Sequence, residues 1–264
     1  MKPPLLLALL ASLPAFAEDP QIVTLVTKGD AAESRHDTRS ALVSYREAEA
    51  LDPKNVAILL RISKQYSDLI AQTKPQEAAQ TTAERALDYA KRAVALDPAN
   101  AKGHLNLAVC YGRLTDFVGN RTKLEYSKII KTEAEKSLDL DATDDFAWHV
   151  LGRWHAGVAN VNGMLKTMAR LIYGGLPAAS NEEAARCLKK ATELAPQRLM
   201  HHAELAHVHT AMGKTDLALQ DWQNVLGIRA VDHEDEEYQK EARTALDAAR
   251  SARAGKSSKL TTQR

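Results

Sequence analysis

Six side chains between residues 64 and 153 are of the types that hold a carboxylate: Lys64, Lys102, Asn106, Arg113, His149 and Arg153. Lysine and arginine donate charged hydrogen bonds, asparagine and histidine neutral ones. Several of them aimed into one groove would recognise an acidic peptide or a chain terminus. Arg61 falls in the same register. The alternative for this basic set is a solvated charged face. A second cluster, LMHHAELAHVH, brings His201, His202, His207 and His209 into one segment. His202 and His209 are seven residues apart and share a helical face, while the others scatter round the axis, so the run reads as packing and surface histidines rather than metal ligands. The chain has no His-Glu-x-x-His, paired-cysteine, Gly-x-Ser-x-Gly, P-loop or dinucleotide pattern. Gly174-Gly175 follows a helical pattern and ends it, so it is not a phosphate cradle. The expectation is a non-enzymatic protein with no catalytic residue, metal or cofactor.

These residues must be positioned by helices. Four similar helix endings recur, Leu51-Asp52-Pro53, Leu96-Asp97-Pro98, Leu140-Asp141-Ala142 and Leu194-Ala195-Pro196. Proline cannot continue a helix, and Asn55, Asn100 or Asp144 just beyond can cap the next one. Trp148-x-x-Leu151-Gly152, followed by Ala184, Leu188, Ala191 and Pro196, has the anchor pattern of a tetratricopeptide (TPR) repeat of about 34 residues. A first unit from Ile22 carries Ala41, Tyr45 and Ala48 at the second-helix anchors, and a last unit from about Leu199 carries Leu205, Ala206, Ala218 and Trp222.

Three longer units lie between these, each lengthened between its two helices. The second helix of the second unit starts early or comes after an extended turn at Pro75, and that of the third is lengthened through Leu124, Ile129 and Ile130. In the fourth, Val161, Leu165, Met168 and Ile172 recur at helical spacing before a Gly174-Gly175-Leu176-Pro177 breaker, with Ser180 or Asn181 capping the second helix of that unit. The apolar side of this inserted helix is expected to pack inside the solenoid, the alternative being a partner-docking or membrane-surface element. The fold is thus all-α: a TPR-like α-α superhelix, or solenoid, of about five hairpins with a C-terminal capping helix, spanning 18–253. Residues 254–264 are expected to form a disordered tail. Trp154 is placed in the core between hairpins, with Arg153 pointing the other way. Lys102 and Asn106 match one helix of the carboxylate clamp of chaperone-binding TPR domains, although the rest of that pattern is missing.

Residues 1–17 combine Lys2, an apolar run from Leu5 to Leu13 and a small-x-small Ala15-Phe16-Ala17 site. This predicts a signal peptide cleaved after Ala17 and a secreted or periplasmic protein with no stable membrane span in the mature chain. The formal charge of +1 becomes neutral once Lys2 is removed, which disfavours nucleic acid as a partner. Cys110 and Cys187 lack metal-ligand spacing and are either buried thiols or a disulfide.

His149 to Trp154 (HVLGRW), the insertion ending in LPAASNEEAARCLKKATELAP, and the terminal VDHEDEEYQKEARTAL resemble, in that order, the regulator of microtubule dynamics family. The resemblance covers about Leu105 to Leu246. It implies a TPR-like helical domain with no catalytic residue or cofactor to carry over. In animals it is linked to microtubules or organelle tethering, so tubulin is a partner by resemblance alone. The residues themselves point to a protein-protein interaction scaffold binding a peptide or protein in a basic concave groove.

Overall fold

A computed structural model describes residues 19–173, 175 and 177–262; the expected signal peptide and its cleavage site lie outside them, as do Gly174 and Leu176 of the breaker and the last two residues of the expected tail. Among the described residues every regular element is helical. The hairpins are α1 (Pro20–Glu33) with α2 (Thr38–Leu51), α3 (Val56–Leu69) with α4 (Gln76–Leu96), α5 (Ala101–Leu114) with α6 (Asn120–Leu140), and α7 (Asp145–Ala159) with α9 (Asn181–Leu194). A fifth, α10 (Leu199–Ala211) with α11 (Thr215–Gly227), is followed by the capping helix α12 (His233–Thr262). The short α8 (Gly163–Tyr173) interrupts the fourth hairpin. This is the TPR-like solenoid expected. No helix among the described residues is long and apolar enough to cross a membrane.

Local chemistry sets the boundaries. Asn55, Asn100 and Asp144 accept backbone N–H groups of α3, α5 and α7, and Ser180 does so for α9, satisfying donors that a helix start otherwise leaves bare. Before these caps, Asp52, Asp97 and Asp141 each accept the backbone N–H two residues on. The same aspartate turn thus joins one hairpin to the next three times. The second and third units gain their extra length as early starts of α4 and α6, each of 21 residues against 14 in α3 and α5.

Within hairpins the two helices approach closely through small residues. A Cβ on Gly152 would lie 2.7 Å from Cγ of Leu188 and 3.2 Å from the carbonyl oxygen of Ala184, so only glycine fits where α7 meets α9. Gly29 plays the same part in the first hairpin, where the Tyr45 ring covers it. Ala83, Ala86 and Ala90 of α4 are fully buried at the α3 crossing. Trp154 is buried, and its indole N–H donates to the Ser127 carbonyl at 2.7 Å, bridging the third and fourth hairpins. Cys110 and Cys187 are free, buried thiols in separate core clusters.

Two expectations need correction. The inserted helix α8 forms, with Asn162 accepting the Leu165 N–H, but its apolar side is not covered: Ala169 is buried, while Leu171 is 81% exposed and Ile172 46%. The exposed pair falls in the last turn of α8, at the end away from the Asn162 cap. Residues 254–262, expected as the start of a disordered tail, instead continue α12. No proline occurs after Pro196, and Gly255 is the single glycine in that helix, so nothing in the sequence stops it.

Gly152→Ala should cost about 1–3 kcal/mol of stability by forcing α7 and α9 apart. Trp154→Ala should cost about 3–5 kcal/mol through the cavity between hairpins. Thermal melts followed by far-ultraviolet circular dichroism read both, and a neutral Gly152→Ala would contradict the close approach.

Candidate functional site

The first helices of the hairpins form one wall, and polar links run from each to the next. Arg61 of α3 donates to both carboxylate oxygens of Asp30 on α1, at 2.8 and 3.3 Å. Lys64 pairs with Glu33 of α1 at 3.0 Å and with Asp68 of its own helix at 2.7 Å. The Asn106 amide donates to the Leu60 carbonyl of α3 at 3.2 Å, and Lys102 holds the buried Asp144 carboxylate at 2.7 Å. Arg153 of α7 pairs with Glu204 of α10 at 3.3 Å, and His207 of α10 with Glu241 of α12 at 2.8 Å. Arg113 is exposed at the far end of α5.

The expected basic set is therefore on the wall but not bare. Lys64, Lys102 and Arg153 each already hold a carboxylate of this chain, and the Lys102–Asn106 pair that resembles a clamp is committed to Asp144 and Leu60. The acids of the wall are what the basic pattern in the sequence does not announce. Asp30, Glu33 and Glu204 occupy facing positions of neighbouring first helices, and an opposite-charge comparison between adjacent units would have found them.

His149 is a correction: it is buried, not a groove donor. His149 and Arg153 lie four residues apart and share the face of α7 that meets α10. The long arginine reaches out to Glu204, with 58% of its side chain exposed, while the shorter imidazole is covered. Its Nδ1 lies 3.0 Å from Nδ1 of the buried His201, whose Nε2 lies 2.8 Å from Asp145. Asp145 also pairs with Arg198 at 3.2 Å. With the carboxylate accepting the His201 Nε2–H, the His201 Nδ1 is left to accept from His149, and the His149 Nε2 keeps a buried lone pair with no partner. Phe146 stacks on the other side of His149 at 5.5 Å.

Burial, and then the charge of His201, pulls His149 down to about 3. His201 is also lowered, by burial first, against the opposing hydrogen bond from Asp145. His207 is raised, first by the Glu204 carboxylate 3.8 Å from its Nδ1 and then by Glu241. The remaining histidines of the run go elsewhere: His202 meets the Pro196 carbonyl at 3.0 Å and His209 meets Asp221 at 2.6 Å. Among the described residues no group of His, Cys, Asp and Glu converges in a way that could hold a metal ion.

The model of the Regulator of microtubule dynamics protein 1-3 family matches residues 25–250. The mouse Regulator of microtubule dynamics protein 1 is 27% identical over 181 residues, covering 68% of this chain and 56% of the relative. The human Regulator of microtubule dynamics protein 2 is 26% identical over 187 residues, covering 70% and 46%. The chain thus spans about half the length of the curated relatives it matches. Among solved structures, a thermophilic TPR protein of Thermus thermophilus superposes with a TM-score of 0.64 at 17% identity, over 85% of this chain and 98% of that one. A type IV pilus biogenesis factor, PilW, gives 0.58 at 16% identity, over 90% and 91%. At these identities the two structures establish the fold alone.

Unfolded histidine protonates near 6.5, whereas His149 and His201 stay neutral in the fold to lower pH. The folded chain then binds fewer protons, so it should lose stability as pH falls below about 6.5. His207 acts oppositely, its contribution complete below 6.5 and lost as pH rises through its raised folded value. The melting temperature should fall from pH 7 to pH 5, and His149→Gln should shrink that fall. An unchanged pH slope in the variant would refute this account of the pair.

Proposed function

The chain belongs to the Regulator of microtubule dynamics protein 1-3 family, and we propose that it serves as a non-catalytic TPR scaffold that takes an acidic protein segment along its first-helix wall by exchanging carboxylates. The TPR-like fold and the family support a protein-interaction role. The observation that carries the finer reading is the Arg153–Glu204 pair. The guanidinium is more than half exposed, while the Glu204 side chain is 15% exposed, so an incoming carboxylate can reach the cation without entering the core. Each cation gains a partner's oxygen as it gives up an internal one, so net affinity per contact is small and specificity lies in the spacing of Lys64, Lys102 and Arg153. The wall is not a field of free positive charge, which separates this mode from simple attraction to an acidic surface. His149 drops out of the binding set, and Arg113 stands at its edge.

The protein is further proposed to be exported, on the pattern of Lys2, Leu5 to Leu13 and Ala15-Phe16-Ala17. N-terminal sequencing of exported material should begin at Glu18. Retention of Met1 together with co-sedimentation with microtubules would favour instead the activity that the relatives' names carry.

The exchange reading is tested by two substitutions with opposite expected signs. A partner captured by crosslinking to the chain in its native compartment should bind Arg153→Ala more weakly by about 0.5–1 kcal/mol, the small net gain of an exchanged, exposed pair. Glu204→Gln should bind it more tightly, because the guanidinium no longer has an internal carboxylate to leave. Titration calorimetry reads both, with a thermal melt as the folding control. Equal affinity in both variants would remove the wall as the binding surface.

A further inference from the structure

We propose that the hairpin-tip edge around α8 docks on an anionic membrane surface, with Leu171 and Ile172 entering the acyl boundary and Lys166 and Arg170 meeting lipid phosphates. The starting observation is exposure. Leu171 is 81% exposed and Ile172 46%, on a helix whose Ala169 is buried. Leu165 and Met168 lie half-buried on the same apolar arc, while Lys166, Thr167 and Arg170 occupy the opposite side. An apolar stripe on one side and cations on the other is the pattern of a helix lying in the plane of a bilayer surface.

Charge decides between a membrane and a second copy of the chain or an apolar protein groove. Residues 161–180 contain no aspartate or glutamate, in a chain whose 35 basic and 34 acidic residues otherwise nearly balance. The tip of the third hairpin adds Arg113, Arg121 and Lys123. Over 113–123 and 161–180 together, five cations stand against one acid, Asp116. Of these cations Arg121 has a carboxylate within reach, that of Glu125 one turn along α6 at 3.6 Å. The third and fourth hairpins that carry these two segments are neighbours in the stack, since Trp154 of α7 donates to Ser127 of α6. Neither Lys166 nor Arg170 carries an ion pair among the described residues; the Lys166 ammonium donates to the Ala159 carbonyl at 3.3 Å. This contrasts with the first-helix wall, where Lys64, Lys102 and Arg153 are all paired. The edge therefore presents unneutralised positive charge beside exposed leucine and isoleucine, which suits a negatively charged lipid surface and repels an identical edge.

The test is flotation of the whole chain with vesicles of phosphatidylcholine alone and of phosphatidylcholine with about 30% phosphatidylserine, at low and high salt. The chain should float with the anionic vesicles and be released by salt. Lys166→Gln with Arg170→Gln should weaken binding by about 25-fold, at roughly fivefold per basic residue near the surface. Leu171→Asp with Ile172→Asp should abolish it while leaving the circular dichroism spectrum unchanged. A Leu171→Trp variant, with its fluorescence compared with the parent chain's, should show a blue shift that only the vesicles produce. Inorganic phosphate alone should compete weakly; competition equal to that of vesicles would mean a free-anion site and overturn the proposal. So would equal flotation of all variants, or a parent chain that is dimeric in solution and becomes monomeric on Leu171→Asp with Ile172→Asp.

Discussion

Everything in this molecule rests on how closely the two helices of a hairpin can approach. Where α7 crosses α9, the absence of a side chain at Gly152 lets Leu188 settle against the backbone, and at the first hairpin Gly29 does the same for Tyr45. A large residue thus closes over a small one, and each hairpin becomes a thin slab with apolar residues on both faces. Such a slab cannot be stable alone, so it stacks. The stacking direction then brings the first helices side by side, which places Arg61 opposite Asp30 and Arg153 opposite Glu204. The polar wall is a consequence of the small residues, not an independent feature.

The links between first helices differ in kind along the stack. At the first interface they are exposed ion pairs, each contributing little in water. At the interface between α7 and α10, the His149–His201–Asp145 chain is taken out of solvent, with one nitrogen left bare. An unpartnered buried nitrogen costs stability, and neutral imidazole tolerates that cost where a charged side chain would not. The same interface carries the exposed Arg153–Glu204 pair. A buried element that fixes register thus lies one helical turn from an exposed one able to change partners.

Much of this architecture was legible in the sequence because it is written in residues that act locally. Pro53, Pro98 and Pro196 stop helices, Asn55, Asn100 and Asp144 start them, and the spacing of Trp148, Leu151 and Gly152 repeats the interior of a hairpin. The site was legible in part. Arg153 outside and Trp154 inside followed from helical spacing. His149 did not, because whether a face of α7 meets solvent or α10 depends on a helix about fifty residues away. The wall's acids were hidden for the same reason: Glu33 and Lys64 gain meaning only as a pair across an interface. The exposure of Leu171 and Ile172 likewise depends on what the last turn of α8 meets, which composition does not encode.

The connections of the solenoid fall into two classes with different histories open to them. Those joining one hairpin to the next, residues 52–55, 97–100, 141–144 and 195–198, are all four residues long. Those inside hairpins range from the short turn between α10 and α11 to the long excursion that contains α8. A change in the first class would shift every later hairpin against its neighbour, whereas one in the second extends the molecule outward and leaves the stack in register. One edge of the solenoid is therefore fixed by geometry, and the other is where lineages can add material and diverge.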